Sequence, residues 1–303
     1  MNDEAITVII TARDAERTIA TAIRSILWSL PRTGRVLVRS DGSVDRTKSA
    51  ARTVADHRVE VLEDETGLGI ARSCNLLLDR VRTPLVSRMD ADDISLPGRF
   101  AAQLRRLRRG VDFSFTTGVE WREGTAIVRP QKPYAISPAS APFILLLTNP
   151  FMQPTMLART DMVRSLAGWR SDIASEDFDL YLRAATAGYS IERLRVPRMI
   201  YRRTATQTTA QPSWWQARSA NPLVRESFDA LADHCLGFVP RWFEWRRAGF
   251  PPDQTPSGVV DDIRRFAATV GVLRPSERNP LLRRLNRMSR IAESSAAAPS
   301  AAR

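Results

Sequence analysis

Three aspartates fall within four positions in "RMDADDISLP": Asp90 and Asp92 straddle Ala91, and Asp93 follows directly. In extended backbone, residues two apart project the same way, about 6–7 Å apart at Cα. Two carboxylates so placed can hold Mg2+ or Mn2+, hard cations that take carboxylate, phosphate and water oxygens, and a diphosphate would complete the shell. The competing reading is that Asp93 or Ser95 caps the helix after Pro97 while the other acids are solvated. A second acidic pair, Glu176-Asp177 in "SEDFDLYLRAATAG", heads a helical pattern with Ser175 at the N-cap and Gly188 at the stop. Acids in a first turn complement the helix dipole, and the same dipole keeps an aspartate ionised near neutral pH, as a base must be. A further acid, Asp41, sits in the turn-like "SDGS".

The elements that must position these acids alternate over the first hundred residues. "ITVIIT" (6–11) is a continuous apolar, β-branched run, as expected of a strand buried on both faces. Asp14 can cap a helix reaching about Leu30, with Ile19, Ala22, Ile23, Ile26 and Leu27 on one stripe. "RVLV" (35–38) is a second strand, followed by a helix at about 46–55 capped by Ser43 or Asp45. "VEVLE" (59–63), a helix at 70–81 and "PLVSRM" (84–89) complete the pattern. Strand–helix–strand units at this spacing predict a parallel sheet, whose ligands bind outside the carboxyl ends of the strands. Asp41 follows the second strand, and Asp90, Asp92 and Asp93 follow the fourth. Placement on that edge favours the metal site over the helix cap.

Beyond Pro97 the pattern loosens into a basic helix (98–109), strand-like "DFSFTT" (112–117), short strands near 119–129 and a Pro/Ser-rich loop. "YSIERLRVPRMIYRR" (189–203) reads as two short strands, and from about 213 the chain is helical and rich in Trp and Arg. The last dozen residues are low in complexity and predict a disordered tail.

With 303 residues, 43% hydrophobic and 26% charged, the chain can bury a substantial core as one large or two smaller domains. Two cysteines without a C-x-x-C pair fit a reducing compartment and offer no thiolate zinc site. The start "MNDEAITVII" lacks the basic and long apolar regions of a signal peptide, and "FILLL" is far short of the ~20 residues that span a bilayer. The cytoplasm is the expected location. A net charge of +12 admits nucleic acid, an anionic membrane or phosphorylated ligands, or simply a solvated arginine-rich face.

Other strand-end sites fail on the residues. The turn after the first strand, "TARDAE", has no glycine, which excludes the G-x-G-x-x-G dinucleotide turn, and no G-x-x-x-x-G-K-[ST] occurs anywhere. Aspartyl phosphatases and receiver domains need acids on the first strand that this chain does not supply. A nucleotidyltransferase also uses paired aspartates and a metal, but wants a glycine- and lysine/arginine-rich loop where "TARDAE" stands. A basic nucleic-acid-binding protein would place a phosphate backbone against the acidic edge, which repels it unless metals intervene.

What survives resembles a known family. "ITVIITARDAERTI", "VLVRSDGSVDRT", "GLGIARSCN" and "SRMDADDISLPGRF" are similar, in order, to the nucleotide-binding half of family 2 glycosyltransferases, and "NPFMQPTML" with "GWRSDIASEDFDLYLRAATAGYSIERL" to their acceptor half. The likeness covers roughly residues 5–205. It implies an α/β GT-A fold, a Rossmann-like nucleotide-binding sheet (1–100) with an acceptor subdomain (101–205), here followed by a helical extension (206–290) and a tail (291–303). It also implies an inverting, hexosyltransferase-type enzyme that uses Mn2+ or Mg2+, a nucleoside-diphosphate sugar and a glycan or lipid-linked hydroxyl acceptor, and no nucleic acid.

The roles follow position by position. Asp41 would bind the base, Thr11, Arg13 and Arg88 would help hold the donor, and Asp90 and Asp92 would meet the donor and the metal. Asp177 would be the general base, with Glu176 and Gln153 on the acceptor side. The chain departs from the family's pattern where Arg13 replaces a tyrosine against the base, where Ser40-Asp41 replaces a pair of acids, and where Gln153 replaces a common histidine. These changes put the nucleotide in question. Trp214, Trp215, Trp242 and Trp245 lie among arginines, which suits either a core or a peripheral contact with the inner face of the membrane.

Overall fold

The computed structural model describes residues 5–62, 66–131, 134–171, 173–204, 221–247, 249–251 and 255–296. They form two compact units whose segments interleave along the chain. The first comprises 1–136, 151–172 and 187–211; the second comprises 137–150, 173–186 and 212–303. Residues around the expected boundary at 205/206, with Trp214 and Trp215, lie outside the described residues.

The first unit is built on one sheet, to which nine strands contribute among the described residues. Its first half alternates as the apolar runs demand. β1 (Ile6–Ala12), β2 (Arg35–Ser40), β3 (Val59–Val61) and β4 (Leu85–Asp90) are parallel in the order β3-β2-β1-β4, and α1 (Ile19–Ser29), α2 (Thr47–Arg52) and α3 (Ile70–Arg80) connect them. Every residue of β1 is buried, so this strand is central. The predicted α1 stripe of Ile19, Ala22, Ile23 and Ile26 is buried with it in one core cluster. Because β2 lies on one side of β1 and β4 on the other, the topological switch that marks ligand sites in such sheets is at the carboxyl end of β1.

The remaining strands mostly run antiparallel to their neighbours. β5 (Ile94–Ser95), β6 (Phe113–Arg122), β7 (Val128–Pro130), β8 (Leu157–Arg159) and β9 (Ile191–Arg203) extend the sheet as β4-β8-β6-β9-β5, with β7 beside β6 and only β6 and β9 parallel. α4 (Arg99–Leu107) precedes β6, a 3-10 turn (Gln153–Thr155) leads into β8, and α6 (Thr160–Ser165) follows it. β9 is one strand rather than the predicted two. Its pairing with β6 jumps register between Leu194 and Pro197 and again before Ile200, so Pro197, which has no N–H to donate, sits at a bulge instead of a break.

Of the predicted caps, one is corrected and one is kept. Asp14 adopts φ +49 and accepts the Val44 amide (2.9 Å), which ties the loop after β1 to the loop after β2, and α1 starts only at Ile19. Asp45 does serve α2: its Oδ1 accepts the Thr47 amide (2.9 Å), and its Oδ2 accepts the Glu16 amide (3.0 Å).

The second unit is helical: α5 (Ala141–Leu145), α7 (Glu176–Thr186), α8 (Pro222–Leu236), α9 (Trp242–Arg247), α10 (Val259–Thr269) and α11 (Pro275–Ala296). Its core is aromatic. Trp242 is fully buried, donates its Nε1 to the Leu146 carbonyl (3.0 Å), and meets Phe266 edge-on, while Phe228 packs on Phe243 at 4.4 Å. Trp245 is buried too, with its Nε1 on the Pro251 carbonyl (2.9 Å). These two tryptophans are core residues, so they cannot meet a membrane surface. Residues 291–296, expected as tail, complete α11. Among the described residues, no helix is long and apolar enough to cross a membrane.

Candidate active site

The carboxyl ends of β1, β2 and β4 are in register: Thr11 pairs with Asp90 and Ala12 with Ser40. Asp41, one residue past β2, therefore lies on the same edge as Asp90, and its amide donates to the Ala12 carbonyl (2.7 Å). Its carboxylate is buried and bonded through one oxygen. Oδ1 accepts from Arg39 Nη1 (2.7 Å), Ser73 Oγ (2.8 Å) and the Leu68 amide (2.8 Å). Arg39 is itself fully buried and also donates to Ser73 Oγ (2.6 Å) and the Thr66 carbonyl (2.5 Å). Burial alone would raise the Asp41 carboxyl. The Leu68 amide, the Ser73 hydroxyl and the Arg39 guanidinium outweigh it and hold the group below the usual carboxylate range. Asp41 Oδ2 takes no partner among the described residues.

At the end of β4, Arg88 is buried and forms an ion pair with Asp90. One ligand oxygen from each of Asp90, Asp92 and Asp93 falls within 4.8 Å of the others. Asp90 and Asp92 are half-buried, whereas Asp93 is 1% exposed. Its Oδ1 accepts the Arg202 amide from β9 (3.0 Å), Arg202 Nε donates to the Asp92 carbonyl (2.9 Å), and Asp93 Oδ2 has no partner among the described residues. Burial, then the charges of Asp90 and Asp92, push the Asp93 carboxyl well above its usual range against the opposing Arg202 amide and Arg88 charge. A buried carboxylate with one oxygen lacking a donor, beside two further carboxylates, is the environment that a divalent cation relieves, and an all-oxygen donor set suits Mg2+ or Mn2+.

Neither predicted cap role holds here. α4 starts after Gly98 with no side-chain cap bond, and Ser95 is buried with its amide on Ser25 Oγ (3.0 Å). Reading the sequence as a D-x-D pair missed Asp93 as a third candidate ligand. Strict alternation would send Asp93 to the opposite face from Asp90 and Asp92; a turn at 91–92, which the sequence did not announce, brings the three together.

Two more expected donor or acceptor residues carry orphaned groups. Thr11 Oγ1 and Gln153 Nε2 are buried without a partner among the described residues, so each is a hydrogen-bonding group awaiting one. Arg13, by contrast, is mostly exposed and only loosely paired with Asp14, at 3.9 Å.

Glu176 and Asp177 belong to the second unit, where they open α7 and are half-buried. Asp177 Oδ1 accepts the Phe178 amide (2.7 Å) and Oδ2 accepts Asn149 Nδ2 (3.0 Å). Ser175 occupies the N-cap position, since its carbonyl accepts the Asp179 amide (3.1 Å), but its Oγ has no partner among the described residues and its φ is +113. Positive φ is strained for serine, and such strain gathers at functional sites. One turn on, buried Asp179 binds Arg183 Nε (2.8 Å) and Ser227 Oγ of α8 (2.7 Å), which anchors the helix beneath the acidic pair.

A β3-β2-β1-β4 parallel sheet, acids at its carboxyl edge and an antiparallel continuation together define a GT-A glycosyltransferase fold. The family model described as "Glycosyl transferase family 2" matches residues 7–165, and the chain belongs to that family of transferases. Among curated relatives, EpsE of Bacillus subtilis is 29% identical over 195 residues, 61% of this chain and 68% of that one. The amylovoran biosynthesis glycosyltransferase AmsE of Erwinia amylovora is 27% identical over 163 residues, 53% of this chain and 60% of the other. The succinoglycan biosynthesis protein ExoU of Rhizobium meliloti is 37% identical over 99 residues, 32% of this chain and 29% of the other. Thus the matched region spans less than two thirds of the last two relatives.

Among solved structures, S. aureus TarS 1–349 in complex with UDP-GlcNAc aligns with a TM-score of 0.65 at 14% identity, over 95% of this chain and 90% of that one. The mannosyltransferase PcManGT of Pyrobaculum calidifontis, in complex with GDP-Man and Mn2+, aligns with a TM-score of 0.54 at 18% identity, over 96% and 85%. At these identities the likeness is one of fold.

Proposed function

We propose that the chain transfers a hexosyl group, with inversion, from a nucleoside-diphosphate sugar to a hydroxyl of a cell-surface glycan or glycolipid, with Mn2+ or Mg2+ as cofactor. The observation that carries this reading is the acidic triad at the switch point, where a buried Asp93 oxygen lacks a donor. Asp90, Asp92 and Asp93 would hold the cation, which neutralises charge developing on the departing diphosphate. Arg88 fixes the Asp90 carboxylate for that task. Thr11 Oγ1, in register with Asp90, would bond the donor. Gln153 Nε2 would meet an acceptor oxygen, with Glu176 also on the acceptor side. Asp177 would take the proton of the attacking hydroxyl.

The two structural neighbours hold different nucleotides, so the base must be argued from this chain. Asp41 Oδ1 is already met by three donors, which leaves Oδ2 as the one free acceptor. Uracil presents a single N–H between two carbonyls and fits one oxygen. Guanine presents two adjacent N–H groups and wants both oxygens of a carboxylate, so one N–H would lack an acceptor, a costly loss in a buried site. The donor is therefore read as a UDP-sugar. A thermal-shift series with Mn2+ tests this: UDP should raise the melting midpoint, and GDP should do so much less at equal concentration. A larger shift with GDP overturns the choice of base, and a response to nucleoside triphosphates alone would favour the nucleotidyltransferase alternative.

With Trp242 and Trp245 in the core, any membrane contact falls to arginines. Arg283, Arg287 and Arg290 are exposed along α11 at helical spacing, a stripe suited to an anionic surface. Neither Cys74 nor Cys235 forms a disulfide, which suits a reducing compartment such as the cytoplasm. The reading is of a cytoplasmic enzyme working at the inner face of the membrane. Cosedimentation with phosphatidylglycerol vesicles should weaken in Arg283→Glu/Arg287→Glu. Equal pelleting of wild type and variant would refute the contact.

A further inference from the structure

α4 carries a polar pair into the core. Arg99 is fully buried, and among the described residues its hydrogen bonds all go to uncharged acceptors: Ser87 Oγ (3.0 Å), Gln103 Oε1 (3.3 Å), the Arg88 carbonyl (3.4 Å), the Met156 carbonyl (3.5 Å) and Met89 Sδ (3.5 Å). Gln103, one turn on and also fully buried, donates Nε2 to the carbonyls of Ser114 (2.6 Å) and Thr155 (2.8 Å). Thr155 Oγ1 in turn bonds the Met152 carbonyl (2.9 Å) and accepts the Thr116 amide (3.2 Å). Ser87 Oγ closes the network on the Met156 carbonyl (2.6 Å).

This network joins two segments remote in sequence. One end grips Ser87 and Arg88, directly before the acidic run that opens at Asp90. The other grips Thr155 and Met156, directly after Gln153. A guanidinium without a carboxylate partner is an expensive way to fill a core. Burial drives Arg99 down to about 9, offset only by the charge of Asp93 through space. Replacing buried ionic groups with apolar ones of similar size is often neutral or stabilising, so packing alone does not account for the residue.

We propose that Arg99 and Gln103 are positioning residues for the cation site: they clamp the strand that presents Asp90 and Asp92 against the turn that presents Gln153, so the carboxylates are spaced for a metal before it arrives. Neither residue would touch substrate. The inference rests on the metal-binding reading of the acidic triad.

The test uses Arg99→Met, Gln103→Met, the double variant and Arg99→Lys, with Mn2+ affinity measured from the electron paramagnetic resonance of free Mn2+ and the melting midpoint recorded without metal. Each methionine variant should bind Mn2+ about 10–100-fold more weakly, the range for residues that support metal ligands from behind, with the midpoint unchanged or raised. The double variant should be little weaker than either single one, because the two act as a unit, and Arg99→Lys should recover part of the affinity. Wild-type affinity in folded Arg99→Met and Gln103→Met overturns the proposal, as does an affinity that falls only together with the melting midpoint. If Arg99→Met does not fold, Gln103→Met, which removes no charge, decides alone. Failure of the wild type to bind Mn2+ would instead overturn the metal site itself, and the clamp with it.

Discussion

Asp177→Asn is expected to lower sugar transfer by ~10²–10⁴-fold, the span of general base catalysis, while UDP binding stays within error of wild type. The substitution isolates the chemistry because the asparagine carbonyl can still accept the Phe178 amide or Asn149 Nδ2, both of which bond the aspartate. What it removes is the carboxylate proposed to take the proton, at the N-terminus of α7 where the helix dipole favours negative charge. If Asp177 only complemented that dipole, the variant would lose about 0.3–1 kcal/mol of stability and no turnover. Initial rates with a UDP-sugar, beside a UDP thermal shift on the same preparation, separate the two. Wild-type turnover in Asp177→Asn would sink the assignment.

Asp92→Ala should abolish the metal-dependent part of UDP binding, so that calorimetric affinity becomes the same with Mn2+ as with chelator. The same variant should be no less stable than wild type without metal, and more stable if the acids repel as their placement implies. Asp92 is half-buried, contributes charge that pushes the Asp93 carboxyl up, and its main-chain carbonyl, which holds Arg202, survives the change. Function held at a cost in stability is the usual signature of a binding site emptied of its ligand. Solvated acids with no metal role would leave UDP affinity and its response to Mn2+ untouched, and that outcome refutes the prediction.

The first half of the sheet was legible because strands buried on both faces are largely apolar, as "ITVIIT" is, while "PLVSRM", with Ser87 and Arg88, followed from the strand–helix alternation. Placing Asp41 and Asp90 on the ligand edge needed only that alternation. Elsewhere local cues misled. Asp14 has the chemistry of a helix cap, but its loop lies against the loop after β2, and the Val44 amide claims its carboxylate. Pro197 reads as a break, yet β9 absorbs it as a bulge because β6 pairs with it on both sides. The tryptophans beside arginines could have lain on a surface or in a core. Phe228, Phe243 and Phe266, scattered over three helices, decide for the core.

The sequence by itself determined the order of strands and helices, the edge on which the acids lie, and the family, because each depends on neighbours a few positions apart. Tertiary structure alone decided which acids have partners. Arg39 is two residues from Asp41, but Leu68 and Ser73 come from the segment before and within α3, and together they occupy one oxygen, while the other takes no partner among the described residues. Asp93 and Arg202 are 109 positions apart, and their contact turns an apparent helix cap into a buried, half-satisfied carboxylate. Arg99 reaches Met156 across 57 positions. Hydrogen bonds and charges act over a few ångströms in space, and sequence spacing carries that distance only within a turn or along a strand.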